Sequence, residues 1–191
     1  LTKRIPVAAG LGGGSSNAAS VLLGLNHLYG GPLAPDRLLA IGKTLGADVP
    51  FFLFQSPALA SGIGDRLEAF SGIPPLAALV VSPALAVSTR MVYQNLNLRL
   101  TNSQKRPTRA HLKQSAFTPD LHLYNDLETV TLAWHPELLA IKNLLTGRGA
   151  LGALMSGSGP SVFGLFPDLD AARQAADTLP GDRGWRLFCA G

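Results

Sequence analysis

The chain of 191 residues has little charge, almost no cysteine and no unbroken run of apolar residues long enough for a membrane. Charged residues make up 15% of it, against about 25% in an ordinary globular protein. The single Cys189 excludes an internal disulfide. It reads as a small buried hydrophobe, and a reducing, cytoplasmic setting fits it. Uncharged stretches run over 5–35, 69–89 and 149–167. Gly/Ser runs or prolines interrupt each of them, so none supplies the roughly 20 apolar residues that a membrane helix needs, and no membrane partner is expected. Lys3-Arg4 leads into proline and glycine, not the apolar core of a signal peptide. His27, His111, His122 and His135 lack metal-ligand spacing and have no cysteine beside them, which argues against a zinc site.

Other features are in excess. Hydrophobic residues reach 47%, enough for a core, and the 21 glycines and 14 prolines point to backbone-built loops. The length allows one ordinary domain or two small ones. The net charge of +4 is concentrated: residues 69–119 hold Arg90, Arg99, Lys105, Arg106, Arg109 and Lys113 and no acid. This segment is either a solvated loop or a face for an anionic substrate. Nucleic acid is not expected as a partner, because only Tyr93 and Phe117 offer stacking nearby.

Along the chain, residues 1–9 read as the end of a strand running into a loop. A helix is predicted over 16–29, capped by Ser15, stopped by Gly30-Gly31 and apolar at Ala18, Val21, Leu22, Leu25 and Leu28. A second helix is predicted over 35–45, ending at Gly46. Residues 49–54 are a short apolar fragment of strand type, and 57–64 are turn-rich. Pro74-Pro75 marks a boundary, dividing the chain into 1–75 and 76–191. Beyond it come a buried strand over 76–82, a short helix over 88–97 and a polar loop over 101–109. Helices near 124–134 and 136–146 follow, then strands at 150–155 and 161–166, a helix over 168–179 and a last strand at 185–189. Trp134 and Trp185 are expected to fill cores. The order β, helices, β, β, helix, β suits an α+β sandwich of ferredoxin-like type. The first part has two helices but only fragments of strand to pack them on.

The most informative segment is Gly10-Leu11-Gly12-Gly13-Gly14-Ser15-Ser16, opening directly into a helix. Without side chains, its backbone N–H groups can close on an anion, and the helix N-terminus adds donors and a favourable dipole. The Ser15 and Ser16 hydroxyls can add hydrogen bonds to phosphate or hold a metal. A linker or tight turn is the alternative. A Walker A loop is excluded, since no lysine lies between Arg4 and Lys43. The dinucleotide fingerprint fails too, because Ser15 stands where its third glycine belongs, and Asn17 does in the frame starting at Gly12.

The run from Pro6 to Ala19, with Gly-Leu-Gly-Gly-Gly-Ser-Ser-Asn at its centre, resembles the nucleotide loop of the GHMP kinases. The long Gly-Gly-Gly-Ser-Ser-Asn form is similar to the branch that acts on 4-diphosphocytidyl-2-C-methyl-D-erythritol, in non-mevalonate isoprenoid biosynthesis. Gly46-Ala-Asp48-Val-Pro50, Gly62-x-Gly64-Asp65, Ser88-Thr89-x-x-Val92-Tyr93, Asn125-Asp-Leu-Glu128 and Ser156-Gly-Ser-Gly-Pro160 follow in matching order. The resemblance implies the two-domain α+β fold of these kinases, with an incomplete nucleotide-binding domain in 1–75 and the ferredoxin-like domain in 76–191.

It also implies ATP-dependent phosphorylation of the 2-hydroxyl of that small molecule, with Mg²⁺ neutralising the phosphates and its ligands undetermined. Pro6, Gly10, Leu11, Gly12, Gly13, Gly14, Ser15, Ser16 and Asn17 would hold ATP, joined by Gly157, Ser158 and Gly159. Asp48 would accept the hydroxyl proton, although from its position alone it is more often a turn or cap residue. Thr89 and Tyr93 would line the substrate site, Tyr93 stacking on the cytosine ring or simply packing on its helix. Asp126 and Glu128 suit a helix start and receive no chemical role. Family members begin with a Pro-x-Lys-x-Asn strand and a Tyr-His segment, neither of which occurs here. The chain is therefore expected to be a fragment lacking the first third. Other GHMP small-molecule kinases and a non-catalytic nucleotide-binding fragment are the competing readings, and the oligomeric state is open.

Overall fold

The computed structural model describes residues 2–97 and 117–191. The polar loop at 101–109, Arg99, Lys113 and His111 lie outside the described residues. The chain forms two compact units, one of Gly12–Ser71 and the other of Leu1–Leu11 with Gly72–Gly191.

In the first unit, helices α1 (Gly13–Leu28), α2 (Pro35–Leu45) and α3 (Val49–Phe54) pack on one another beside a hairpin of β1 (Ala58–Ser61) and β2 (Arg66–Ala69). At the end of α1, Gly30 and Gly31 adopt positive φ, and the Gly31 N–H reaches back to the Asn26 carbonyl at 2.7 Å. The Asn26 side chain clamps both polar groups of Leu33, at 3.0 and 3.1 Å, and Pro35 then starts α2. The segment 49–54 is a helix and not a strand fragment. Pro50 explains the difference: it has no N–H for a ladder but suits a first helical turn, where it sits. The turn-rich stretch carries the hairpin, paired from Ala58↔Ala69 to Ser61↔Arg66. The Lys43 ammonium of α2 bonds Asp65 in the turn between these strands and lowers its carboxyl below the usual range. The apolar positions of α1 do recur at helical spacing, yet Val21, Leu25 and Leu28 are exposed and Ala19 is the one buried residue of the helix.

The second unit is built on a four-stranded antiparallel sheet. Its strands are β3 (Ala77–Ser82), β4 (Gly152–Met155), β5 (Val162–Phe166) and β6 (Arg186–Ala190), ordered β4-β5-β3-β6. Between β3 and β4 lie α4 (Thr89–Asn95), α5 (Pro119–His122), α6 (Glu128–Trp134) and α7 (Glu137–Gly147), and α8 (Leu169–Asp177) links β5 to β6. This is the expected ferredoxin-like succession, with the first strand between the last two. Alternation along β3 turns Ala77, Leu79 and Val81 into a core. Leu138, Ile141 and Leu145 of α7 meet them there with Val162 and Phe166, all at most 1% exposed. Each such aliphatic side chain contributes about 1.5–3 kcal/mol by leaving water.

Three further expectations fail. Residues 2–9 form turns and irregular backbone, not a strand. Cys189 is exposed, because β6 is the sheet's edge strand. Trp134, in the last turn of α6, is 44% exposed and fills no core, whereas Trp185 does pack against it. Among the described residues, no helix is long and apolar enough to cross a membrane.

Candidate active site

The glycine run opens α1 differently from the expected pattern. Helical bonding begins with the Ser16 N–H on the Gly12 carbonyl, at 2.9 Å. Gly12 is therefore the cap, at φ 62°, and Ser15 lies inside the first turn. Among the described residues, no side chain caps this end, and its first turn contains no acid. The leading N–H groups at Gly13, Gly14 and Ser15 are thus presented without a carboxylate or hydroxyl over them, at the positive end of a 16-residue helix. A Cβ added at Gly14 would meet nothing within 4 Å, whereas one at Gly12 would come within 2.8 Å of the Phe52 ring. Gly12 is small for packing against α3, and Gly14 leaves bare backbone. An uncapped turn with an open glycine fits a phosphate group.

Asp48 immediately precedes α3 in the same unit. Its side chain does not cap the helix and is exposed, and among the described residues its carboxylate has no hydrogen-bond partner. It is not a structural cap.

In the second unit, the Ser156–Pro160 turn joins β4 to β5. It is closed by Ser156 N–H on the Ser161 carbonyl at 2.8 Å and Gly159 N–H on the Ser156 carbonyl at 2.9 Å. It is more than a hairpin loop, because it grips the start of the glycine run. The Ser156 hydroxyl donates to the Gly10 carbonyl at 2.8 Å, and the Ser161 N–H approaches the Ala9 carbonyl at 3.4 Å. Gly10 has φ 73°, and a Cβ there would collide with the Ser156 carbonyl oxygen. The Ser158 hydroxyl is buried and bonds that of Thr89 at 2.8 Å. Ser88 caps α4, and Tyr93 follows Thr89 by one turn at 60% exposure, its ring open to a partner. Gly10, the Ser156–Gly159 turn and Thr89 are thus brought together. Pro6 instead lines a separate cavity of about 340 Å³ with Val7, Ala9, Ser82 and Arg186.

Three side chains from α6 and the loop before it also hold the turn. Asn125 Nδ2 donates to the Met155 and Gly157 carbonyls at 2.9 and 2.7 Å. Glu128 accepts the Met155 N–H at 2.8 Å while Lys142 bonds both its oxygens. The buried Thr131 hydroxyl donates to the Ser158 carbonyl at 3.2 Å. The motif Asn125-Asp-Leu-Glu128 flagged two of these residues, but their partners lie about 30 residues away and are backbone atoms, which no local pattern shows. Among the described residues, no cluster of three His, Cys, Asp or Glu could hold a metal ion.

Residues 1–56 match the GHMP kinases N terminal domain, and residues 111–183 the GHMP kinases C terminal. The chain is 50% identical over 191 residues to a 4-diphosphocytidyl-2-C-methyl-D-erythritol kinase of Syntrophus aciditrophicus, covering 99% of this chain and 67% of that one. It is 51% identical over 188 residues to the protein so named from Syntrophotalea carbinolica, covering 98% and 66%. It thus spans about two thirds of the length of the curated relatives it matches. A crystal structure of 4-(cytidine 5'-diphospho)-2C-methyl-D-erythritol kinase superposes with a TM-score of 0.79 at 38% identity, covering 99% of this chain and 69% of that one. A homoserine kinase from Cytophaga hutchinsonii shares the fold, with a TM-score of 0.76 at 21% identity over 100% of this chain and 68% of its own. The chain belongs to the GHMP kinases.

Proposed function

We propose that this chain carries the phosphate-binding and proton-accepting parts of a kinase that transfers the γ-phosphoryl of ATP to the 2-hydroxyl of 4-diphosphocytidyl-2-C-methyl-D-erythritol. The observation that supports it most is the uncapped first turn of α1, where Gly13, Gly14 and Ser15 offer N–H groups with no competing acid. Gly10, Leu11, Gly12, Ser16 and Asn17 complete this loop, with Pro6 leading into it, and Gly157, Ser158 and Gly159 support it through Gly10.

The chemistry is chiefly positioning and charge stabilisation. Asp48 accepts the hydroxyl proton as the oxygen attacks phosphorus. The bond to the β-phosphate oxygen breaks, and ADP leaves while α1 donors stabilise its added charge. Mg²⁺ would neutralise the phosphate oxygens, and the Ser15 and Ser16 hydroxyls in the first turn of α1 are the oxygen donors that would hold it there. Tyr93 stacks on the cytosine ring, and Thr89, oriented by Ser158, bonds the polar part of the substrate. The setting is cytoplasmic and the partner a small molecule, neither nucleic acid nor membrane.

A second GHMP substrate is the competing reading, because the glycine loop binds the nucleotide and does not itself select the alcohol. ADP release by the full-length protein decides between them. It should require the diphosphocytidyl alcohol and fail with homoserine. Asp48→Asn should lower kcat by roughly 10²–10⁴ with little change in KM. ADP formation with homoserine alone, or an unimpaired Asp48→Asn, overturns the assignment.

A further inference from the structure

The Met155–Gly159 turn is unevenly satisfied. Its carbonyls at 155, 156, 157 and 158 all accept hydrogen bonds: two from Asn125 Nδ2, one from the Gly159 N–H and one from the Thr131 hydroxyl. Of its N–H groups, Met155 is taken by Glu128, Ser156 by the Ser161 carbonyl and Gly159 by the Ser156 carbonyl. Among the described residues, the N–H groups of Gly157 and Ser158 have no acceptor.

We propose that Asn125 and Thr131 are positioning residues for nucleotide phosphate, tying down the carbonyl oxygens of this turn so that its unpaired N–H groups alone meet an anion. Carbonyl oxygens repel phosphate and N–H groups attract it, so a loop binds anions where its N–H groups converge and its carbonyls are held pointing away. Asn125 suits the task because one amide nitrogen serves two carbonyls while its Oδ1 accepts the Leu127 N–H at 3.0 Å. Aspartate cannot replace it, since the oxygen standing in for Nδ2 would then face both carbonyls with no proton to donate. The Glu128 carboxylate, which would otherwise repel phosphate, is paired on both oxygens with Lys142. The proposal rests on the kinase reading above.

The test uses the full-length protein, with ADP titrated by calorimetry and KM measured separately for ATP and for the diphosphocytidyl alcohol. Asn125→Asp keeps size and the Leu127 bond. It should raise the ADP dissociation constant and the ATP KM roughly 10- to 100-fold, with the alcohol's KM changed less than about twofold. Thr131→Val, of matching shape, releases only the Ser158 carbonyl and should raise the same two values by about 3- to 10-fold. It carries the test if the first variant does not fold. A folded variant that binds ADP as the wild type does overturns the proposal alone, as does an equal rise in both KM values, which marks general damage. A wild type that binds no ADP overturns the kinase reading and this proposal with it.

Discussion

Two glycines of the same run should respond to alanine in opposite ways. At Gly10, φ is 73° and a Cβ would lie inside the Ser156 carbonyl oxygen, far closer than the 3.0 Å that real Cβ atoms keep. The left-handed conformation costs alanine about 1–2 kcal/mol. Relief of the clash must also displace the Ser156 carbonyl. That strains the bond it accepts from Gly159 and the one its own hydroxyl gives to Gly10, at about 1 kcal/mol each. Gly10→Ala should therefore destabilise by about 3–4 kcal/mol. At Gly14, the residue is helical and a Cβ meets nothing within 4 Å. Alanine there should stabilise by about 0.5–1 kcal/mol by restricting the unfolded chain. It should nevertheless weaken ATP binding, because the methyl group occupies the bare approach to the helix end. Urea unfolding and the ATP KM, measured on the same preparations, test both halves. A Gly10→Ala within about 1 kcal/mol of wild type refutes the close approach to Ser156. A Gly14→Ala that is more stable and binds ATP unchanged refutes the α1 terminus as the phosphate site.

Two other outcomes follow from single side chains. Tyr93 is exposed and contributes little to the core, so Tyr93→Ala should leave the melting temperature nearly unchanged. Loss of a stacked base of about 1–3 kcal/mol should raise the KM of the diphosphocytidyl alcohol roughly 5- to 150-fold, and a KM within twofold of wild type removes Tyr93 from the site. The hydrogen bond from Lys43 lowers the Asp65 carboxyl, so near pH 4 the folded state binds fewer protons than the unfolded one. Its stabilisation is complete above the ordinary carboxylate pKa and disappears as pH falls below it through the lowered value. Asp65→Asn should melt below wild type at pH 7, with the gap closing below about pH 4; a gap that persists on acidification refutes the pairing.

The order of strands and helices after Pro75 was legible because β3, β5 and α8 each bury one face, and burial writes its own period into a sequence. The helix at Val49–Phe54 was not, since Val-Pro-Phe-Phe-Leu-Phe has no polar residue to reveal a period. The phosphate loop was legible as composition, but its cap was not. Three consecutive glycines let α1 begin at Gly13, a shift that moves Ser15 from cap to first turn. Cys189 and Trp134 were read by residue type, which carries no information about an edge strand or an outward helix face. Asn125 stood in a recognised motif without a role and Thr131 in none, because the carbonyls they bond come together only after folding.

The place of β3 at the inside of its sheet has a consequence for synthesis. It is the first strand of that sheet to be made, yet its neighbours are β5 and β6, and roughly 80 residues separate Ser82 from Val162. At about 5–20 residues per second, an emerging Ala77–Ser82 waits some 4–16 s for a hydrogen-bonding partner, and longer for the second. Throughout that interval both edges of an apolar strand are open to other chains, a hazard for which holding chaperones exist.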